Sequence, residues 1–201
     1  MTTPTDSSTR RLLVCAALVL GLTGCAVTPS QPPTKPEAAP HPQAAPALPP
    51  RPSELRLDGI RPCALLTEAQ ISQLGMAEGR PGINDQGAGE ECIWSNPPGT
   101  GPDMGWLART DTARGAEYAL RSVTGAHIIQ IDGFSAVETT SPLVDSRWSC
   151  IVLVDVALGQ SFLVQFQNSG GTDPLMTHER ACAQATRGAS LMLQNLRSRS
   201  R

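Results

Sequence analysis

Six cysteines, Cys15, Cys25, Cys63, Cys92, Cys150 and Cys182, constrain this chain more than any other feature of it. Thiols stay reduced in a cytosol and pair outside it, so the same residues mean metal or catalytic chemistry in one compartment and covalent braces in the other. The compartment is read from the N-terminus. Residues 1–11 are polar and end in Arg10 and Arg11, and LLVCAALVLGL (12–22) then supplies eleven residues without a charge. That is the length of a signal-peptide apolar region, whereas a membrane span needs about 20 residues.

Small residues follow, and the order Leu22-Thr23-Gly24-Cys25 resembles the lipobox of bacterial lipoproteins. There the cysteine thiol takes a diacylglycerol group and becomes the first residue after cleavage. Residues 1–24 are accordingly expected to be a lipoprotein signal peptide, with Cys25 carrying diacylglycerol and palmitate-type acyl lipid and no other cofactor. Each buried methylene contributes about 0.8 kcal/mol, so two or more acyl chains hold a protein to a bilayer stably. The expected location is the outer face of the cell membrane after export by the Sec route. TRRLLV (9–14) loosely resembles a twin-arginine export motif, the alternative route. Cleavage discards Cys15 and leaves Cys63, Cys92, Cys150 and Cys182 to form two disulfides, with three connectivities open.

Ten prolines lie between Pro29 and Pro52 among Ala, Ser, Thr and Gln. Such a stretch favours extended polyproline conformation, and residues 25–56 read as a spacer reaching up to about 90 Å from the membrane. The folded part is expected over 57–197, with 198–201 a solvated tail. Thr67 and Gln70 have capping-box spacing, predicting a helix over 68–74 stopped by Gly75, and residues 77–90 read as a loop. Strands are expected at 91–96, 104–110, 127–132, at SAVETT (135–140), and at 148–156 and 161–167, the last two forming a hairpin around Leu158-Gly159. A middle helix is expected from Asp111 or Thr112 to Val123. A long one is expected from the cap at Asp173-Pro174 to Leu196, with Leu175, Cys182, Ala185, Ala189, Met192 and Leu196 on its inner stripe. This is an α+β domain with a mostly antiparallel sheet, a short N-terminal helix, a middle helix and a long C-terminal helix.

RPCALLTEAQISQLG (61–75), ECIW (91–94), IDGFSAV (131–137), CIVLVDV (150–156) and a C-terminal helix carrying Cys182 stand in series behind the lipobox and Pro-rich spacer. Together they resemble an actinobacterial lipoprotein family catalogued as a domain of unknown function (thirty-five fifty-eight). The resemblance covers about 57–196. It implies an extracytoplasmic lipoprotein with Cys63 paired to Cys92 and Cys150 to Cys182, and it implies no activity. Closing two loops of about 30 residues stabilises a domain by roughly 3–4 kcal/mol each in the chain-entropy model.

A formal charge of -2 excludes the basic excess that nucleic-acid binding demands. HERAC (178–182) places His178 and Cys182 one helical turn apart beside Glu179, as metal-dependent hydrolases do, but offers no third ligand; His41 falls in the spacer and His127 in a strand. GFSAV (133–137) lacks the last glycine of a nucleophile elbow, so Ser135 reads as a strand or turn residue. Asp85, Glu90 and Glu91 make an acidic loop without the twelve-residue calcium pattern. Trp94, Trp106 and Trp148 fall in expected strands, as core or as a ligand-binding face. No catalytic constellation emerges. The expectation is a non-enzymatic, membrane-anchored binding or accessory module whose partners are the bilayer and an envelope protein, polymer or small ligand, with an envelope hydrolase or metal-dependent enzyme as the alternative.

Overall fold

The structure, a computed structural model, describes residues 47–83, 90–101, 103–141, 145–169 and 173–200. The expected signal peptide, Cys25, the spacer as far as residue 46, and Asp85 lie outside the described residues. Seven strands, β1 (Arg80–Ile83), β2 (Glu90–Ser95), β3 (Met104–Asp111), β4 (His127–Ile131), β5 (Phe134–Thr139), β6 (Ser149–Ala157) and β7 (Gln160–Asn168), form one sheet in the order β1-β2-β3-β7-β6-β5-β4. Every neighbouring pair is antiparallel. The helices are α1 (Glu68–Gln73), α2 (Glu117–Ser122) and α3 (His178–Arg199). The domain is therefore α+β, as expected, and the pairings are Cys63–Cys92 and Cys150–Cys182.

Local chemistry explains the turns and caps. Asp132 and Gly133 both take positive φ, 49° and 82°, the two-residue geometry that suits the right-handed twist of the β4–β5 hairpin. The Thr67 hydroxyl accepts from the Gln70 amide at 3.3 Å while the Gln70 side chain accepts from the Thr67 amide at 3.0 Å, so the capping box that opens α1 is formed.

The alternation of the strands decides the layers. Phe162, Val164 and Phe166 of β7 and Cys150, Val152 and Val154 of β6 face α3, which buries Ala181, Cys182, Ala185, Ala189, Met192, Leu193 and Leu196 against them. Gly188 sets the closeness of this packing, because a Cβ there would stand 2.9 Å from the Trp106 ring. On the opposite face α2 lays Ala116, Ala119 and Leu120 over Val137 and Leu153, and so covers only part of the sheet.

Several expectations need correction. Residues 80–83 are an edge strand, hidden in the sequence by Pro81 and Gly82; a proline that cannot donate is tolerated at an edge. The middle helix begins at Glu117, because the Asp111 carboxylate accepts from the amides of Ala113 and Arg114, both at 2.9 Å, and folds the chain into a turn instead. Asp173 likewise builds a turn, accepting from the Leu175 amide at 2.9 Å; Thr177 is the true cap of α3, and Leu175 is left exposed. α3 runs on to Arg199, where Arg197 and Arg199 donate to the carbonyls of Asp132 and Ala64 in place of a loose tail.

The folded part also starts before Leu57. Leu55 and Leu57 are buried, the Leu55 amide donates to the Val156 carbonyl at 2.8 Å, and Arg51 pairs with the Asp155 carboxylate. Burial pushes the Asp155 carboxyl up, and the Arg51 guanidinium opposes that rise.

Gly188→Ala should destabilise by about 1–2 kcal/mol net, because crowding against buried Trp106 outweighs the better helix propensity of alanine, and thermal unfolding measures it. Arg51→Ala should cost about 1–3 kcal/mol at neutral pH, where it leaves a buried carboxylate without its cation. Without the guanidinium, burial holds the Asp155 carboxyl still further above its unfolded value, so the penalty is full at neutral pH, shrinks as pH falls through the folded pKa and is gone below the unfolded one. Denaturant melts at neutral and acid pH should show the parent-to-variant gap narrowing in acid.

Candidate functional site

The HERAC segment is positioned by the start of α3. The Thr177 hydroxyl accepts from the Arg180 amide at 3.2 Å, which fixes the first turn and sets His178 one turn before Cys182. The His178 Nε2 atom stands 3.6 Å from the Cys182 Sγ, and its Nδ1 lies 2.9 Å from the Ser146 carbonyl oxygen. Cys182 is bonded to Cys150 on β6. Strand β5 brings a residue that the sequence reading lacked: a carboxylate oxygen of Glu138 lies within 4.8 Å of both sulfur atoms. His127, opposite Glu138 in the β4–β5 ladder, holds its Nε2 3.3 Å from that carboxylate. Glu179, by contrast, is exposed. In the disulfide form neither sulfur is a thiolate, so the corner holds a covalent brace and not a metal centre.

Other singled-out residues are occupied structurally. Ser135 is fully buried and its hydroxyl donates to the Pro49 carbonyl at 2.9 Å, which turns it into a clasp for the incoming chain. Glu91 is held by Arg109 at 2.8 Å, while Glu90 is exposed. Trp94 and Trp106 are cross-strand partners on the α3 side of the sheet, 0 % and 3 % exposed. Trp106 donates to the Gln184 carbonyl at 3.1 Å and meets Phe166 edge to face, with ring centres 5.0 Å apart. Trp148 is partly buried in a 3-10 turn, with the Arg147 guanidinium 5.1 Å over its ring. The three tryptophans thus do not gather on one open face.

The open face lies on the other side of the sheet. Thr139, Ile151, Gln165, Leu107, Ile93 and Arg80 are successive neighbours across six strands, in a row that alternates with the residues facing α3. Over β2, β3 and β7 this face opens into a groove of about 490 Å³ floored by Ile93, Leu107, Gln165 and Gln167 and rimmed by Asn96, Asp103 and Ser169. The Gln165 amide donates at 3.3 Å to both Ser149 and Gln167, so the floor is an ordered row of amide and hydroxyl groups between aliphatic side chains. A second groove of about 480 Å³ lies by the start of α3, walled by Met104, Trp106, Phe166 and Met176 with Arg180 and Arg187 at its mouth. The one signal in the sequence for the open face is the alternation of β7, in which Leu163, Gln165 and Gln167 face away from the phenylalanines.

No curated protein and no solved structure matches the chain. The profile of one family, described as a protein of unknown function (DUF3558), matches residues 20–195. That span takes in the whole sheet, both disulfides and nearly all of α3, and on it the chain belongs to the DUF3558 family, a family of proteins of unknown function.

Proposed function

We propose that this chain is a lipid-anchored envelope protein whose domain binds a partner or small ligand on the open face of its sheet. The observation that carries the binding half is the half-buried row from Ile151 through Gln165 and Leu107 to Ile93, over which no helix among the described residues packs. Among the described residues, α3 and the 3-10 turn Pro62–Leu65 cover one face of the sheet, and α2 packs on the Val137–Leu153 region of the other. Mixed aliphatic and amide lining suits a ligand that offers both apolar surface and hydrogen-bonding groups, such as a peptide segment or a glycan of the envelope. The anchoring half rests on the Leu22-Thr23-Gly24-Cys25 order and the apolar run before it. The Pro-rich composition that follows Cys25 in the sequence is that of a spacer between an anchor and a domain.

Cys25→Ser should leave the domain folded while the chain stays uncleaved or is shed, read by membrane fractionation and intact mass; normal membrane retention of that variant sinks the anchor. For the binding face, a photo-crosslinking amino acid at Leu107 should capture specific material in intact cells. The same group at exposed Gln194 on α3 should not. Equal yields from both positions would remove the sheet face from consideration.

A further inference from the structure

A structural disulfide needs no titratable neighbours, yet both histidines among the described residues, His127 and His178, and the carboxylate of Glu138 stand around Cys150–Cys182. We propose that reduction of this disulfide converts the corner into a binding site for a borderline-soft divalent cation of the zinc class. Its ligands are the Cys150 and Cys182 thiolates, the Glu138 carboxylate and the Nε2 atom of His178.

The geometry carries this in three ways. The two sulfur atoms and the Glu138 oxygen all lie within 4.8 Å of one another, and ligands at zinc distances of 2.0–2.3 Å sit roughly 3.3–3.8 Å apart around a tetrahedral ion, so small side-chain rotations suffice. The His178 ring lies against the same sulfur, with Nε2 at 3.6 Å and Nδ1 at 3.8 Å, and Nδ1 donates its proton to the Ser146 carbonyl at 2.9 Å, so Nε2 is the nitrogen left free to reach an ion after a turn of the ring. His127 pairs with Glu138 from outside and orients the carboxylate, the usual outer partner of a ligand. Charge adds a reason. Two thiolates and a carboxylate gathered where Cys150 is fully buried repel one another, and a divalent cation removes that repulsion.

The chemistry balances with a dithiol reductant. The Sγ–Sγ bond accepts two electrons and two protons from the dithiol, which closes to its own disulfide. The cation then displaces the two thiol protons to solvent. Exchange with the disulfide form of the dithiol reverses the sequence: the two thiolates pass two electrons to it as their own Sγ–Sγ bond re-forms, and the ion is released, so the site exists only in the reduced form.

The test uses the full chain carrying Cys15→Ser and Cys25→Ser, oxidised or reduced with a phosphine, loaded with zinc, desalted and assayed for metal per chain. The reduced chain should retain one zinc and the oxidised chain none. Cobalt in place of zinc should give the intense thiolate charge-transfer absorption that a carboxylate–imidazole site lacks. Cys150→Ser with Cys182→Ser should abolish retention, whereas Cys63→Ser with Cys92→Ser should preserve it. Glu138→Gln and His178→Ala should each weaken binding by at least ~10-fold, the loss that even an outer partner brings, with the far-ultraviolet circular dichroism unchanged. Should the Cys150/Cys182 double variant fail to fold, these two single variants decide the matter. Metal that follows Cys63 and Cys92, or that binds the single variants as tightly as the parent, overturns the proposal.

Discussion

The contact between α3 and the β6–β7 hairpin is the constraint on which the rest of the domain depends. Those two strands are the longest in the sheet, and every other strand is built outward from them. Their α3-facing side chains are aliphatic or aromatic without exception from Val152 to Val156 and from Phe162 to Phe166 in alternate positions. Burying that stripe requires one long amphipathic helix, and the small residues Ala181, Ala185, Gly188 and Ala189 let it come close enough to seal the sheet. The disulfide Cys150–Cys182 then ties the helix to the same hairpin near its first turn, so covalent and hydrophobic restraints act on one interface. The second bridge, Cys63–Cys92, does the corresponding work at the far side, where the short β1 and β2 strands have less apolar area to hold them.

Much of this was legible in the residues because the signals were local. Alternation in 148–156 and 161–167, the glycine turn between them and the Thr67–Gln70 box are determined by neighbours within a few positions, and they hold in the structure. The two misplaced helix starts share one cause. Asp111 and Asp173 are good caps, but an aspartate that accepts from the amides two or three residues on stabilises a turn as readily as a helix, and the residues downstream of it decide between the two. After Asp111 comes Gly115, and after Asp173 the polar Thr177 offers a second cap nearer the apolar stripe.

The sites were less legible, because they are made by pairing across strands and not by spacing along the chain. Nothing near HERAC in sequence points to Glu138; it arrives through the β5–β6 ladder, and His127 joins it through β4. The tryptophans show the converse. Residue type made Trp94 and Trp106 candidates for a ligand face, yet both belong to the alternate positions of the covered face, Trp106 against α3 and Trp94 against Gly79, and the open face is built from less conspicuous Leu107, Gln165 and Gln167. Register, which determines both outcomes, is a property of the assembled sheet.

The strap formed by residues 47–58 has a mechanical meaning. It is fastened where Ser135 holds Pro49, where Arg51 meets Asp155 and where the Leu55 amide joins Val156, so its grip is on β5 and on the C-terminal end of β6. Tension on the preceding chain is therefore delivered to β5 and β6, two strands paired on both sides, through several bonds loaded together. A domain gripped at strands paired on both sides resists a pull better than one peeled from an edge, and here the edge strands β1 and β4 carry none of the strap's three fastenings.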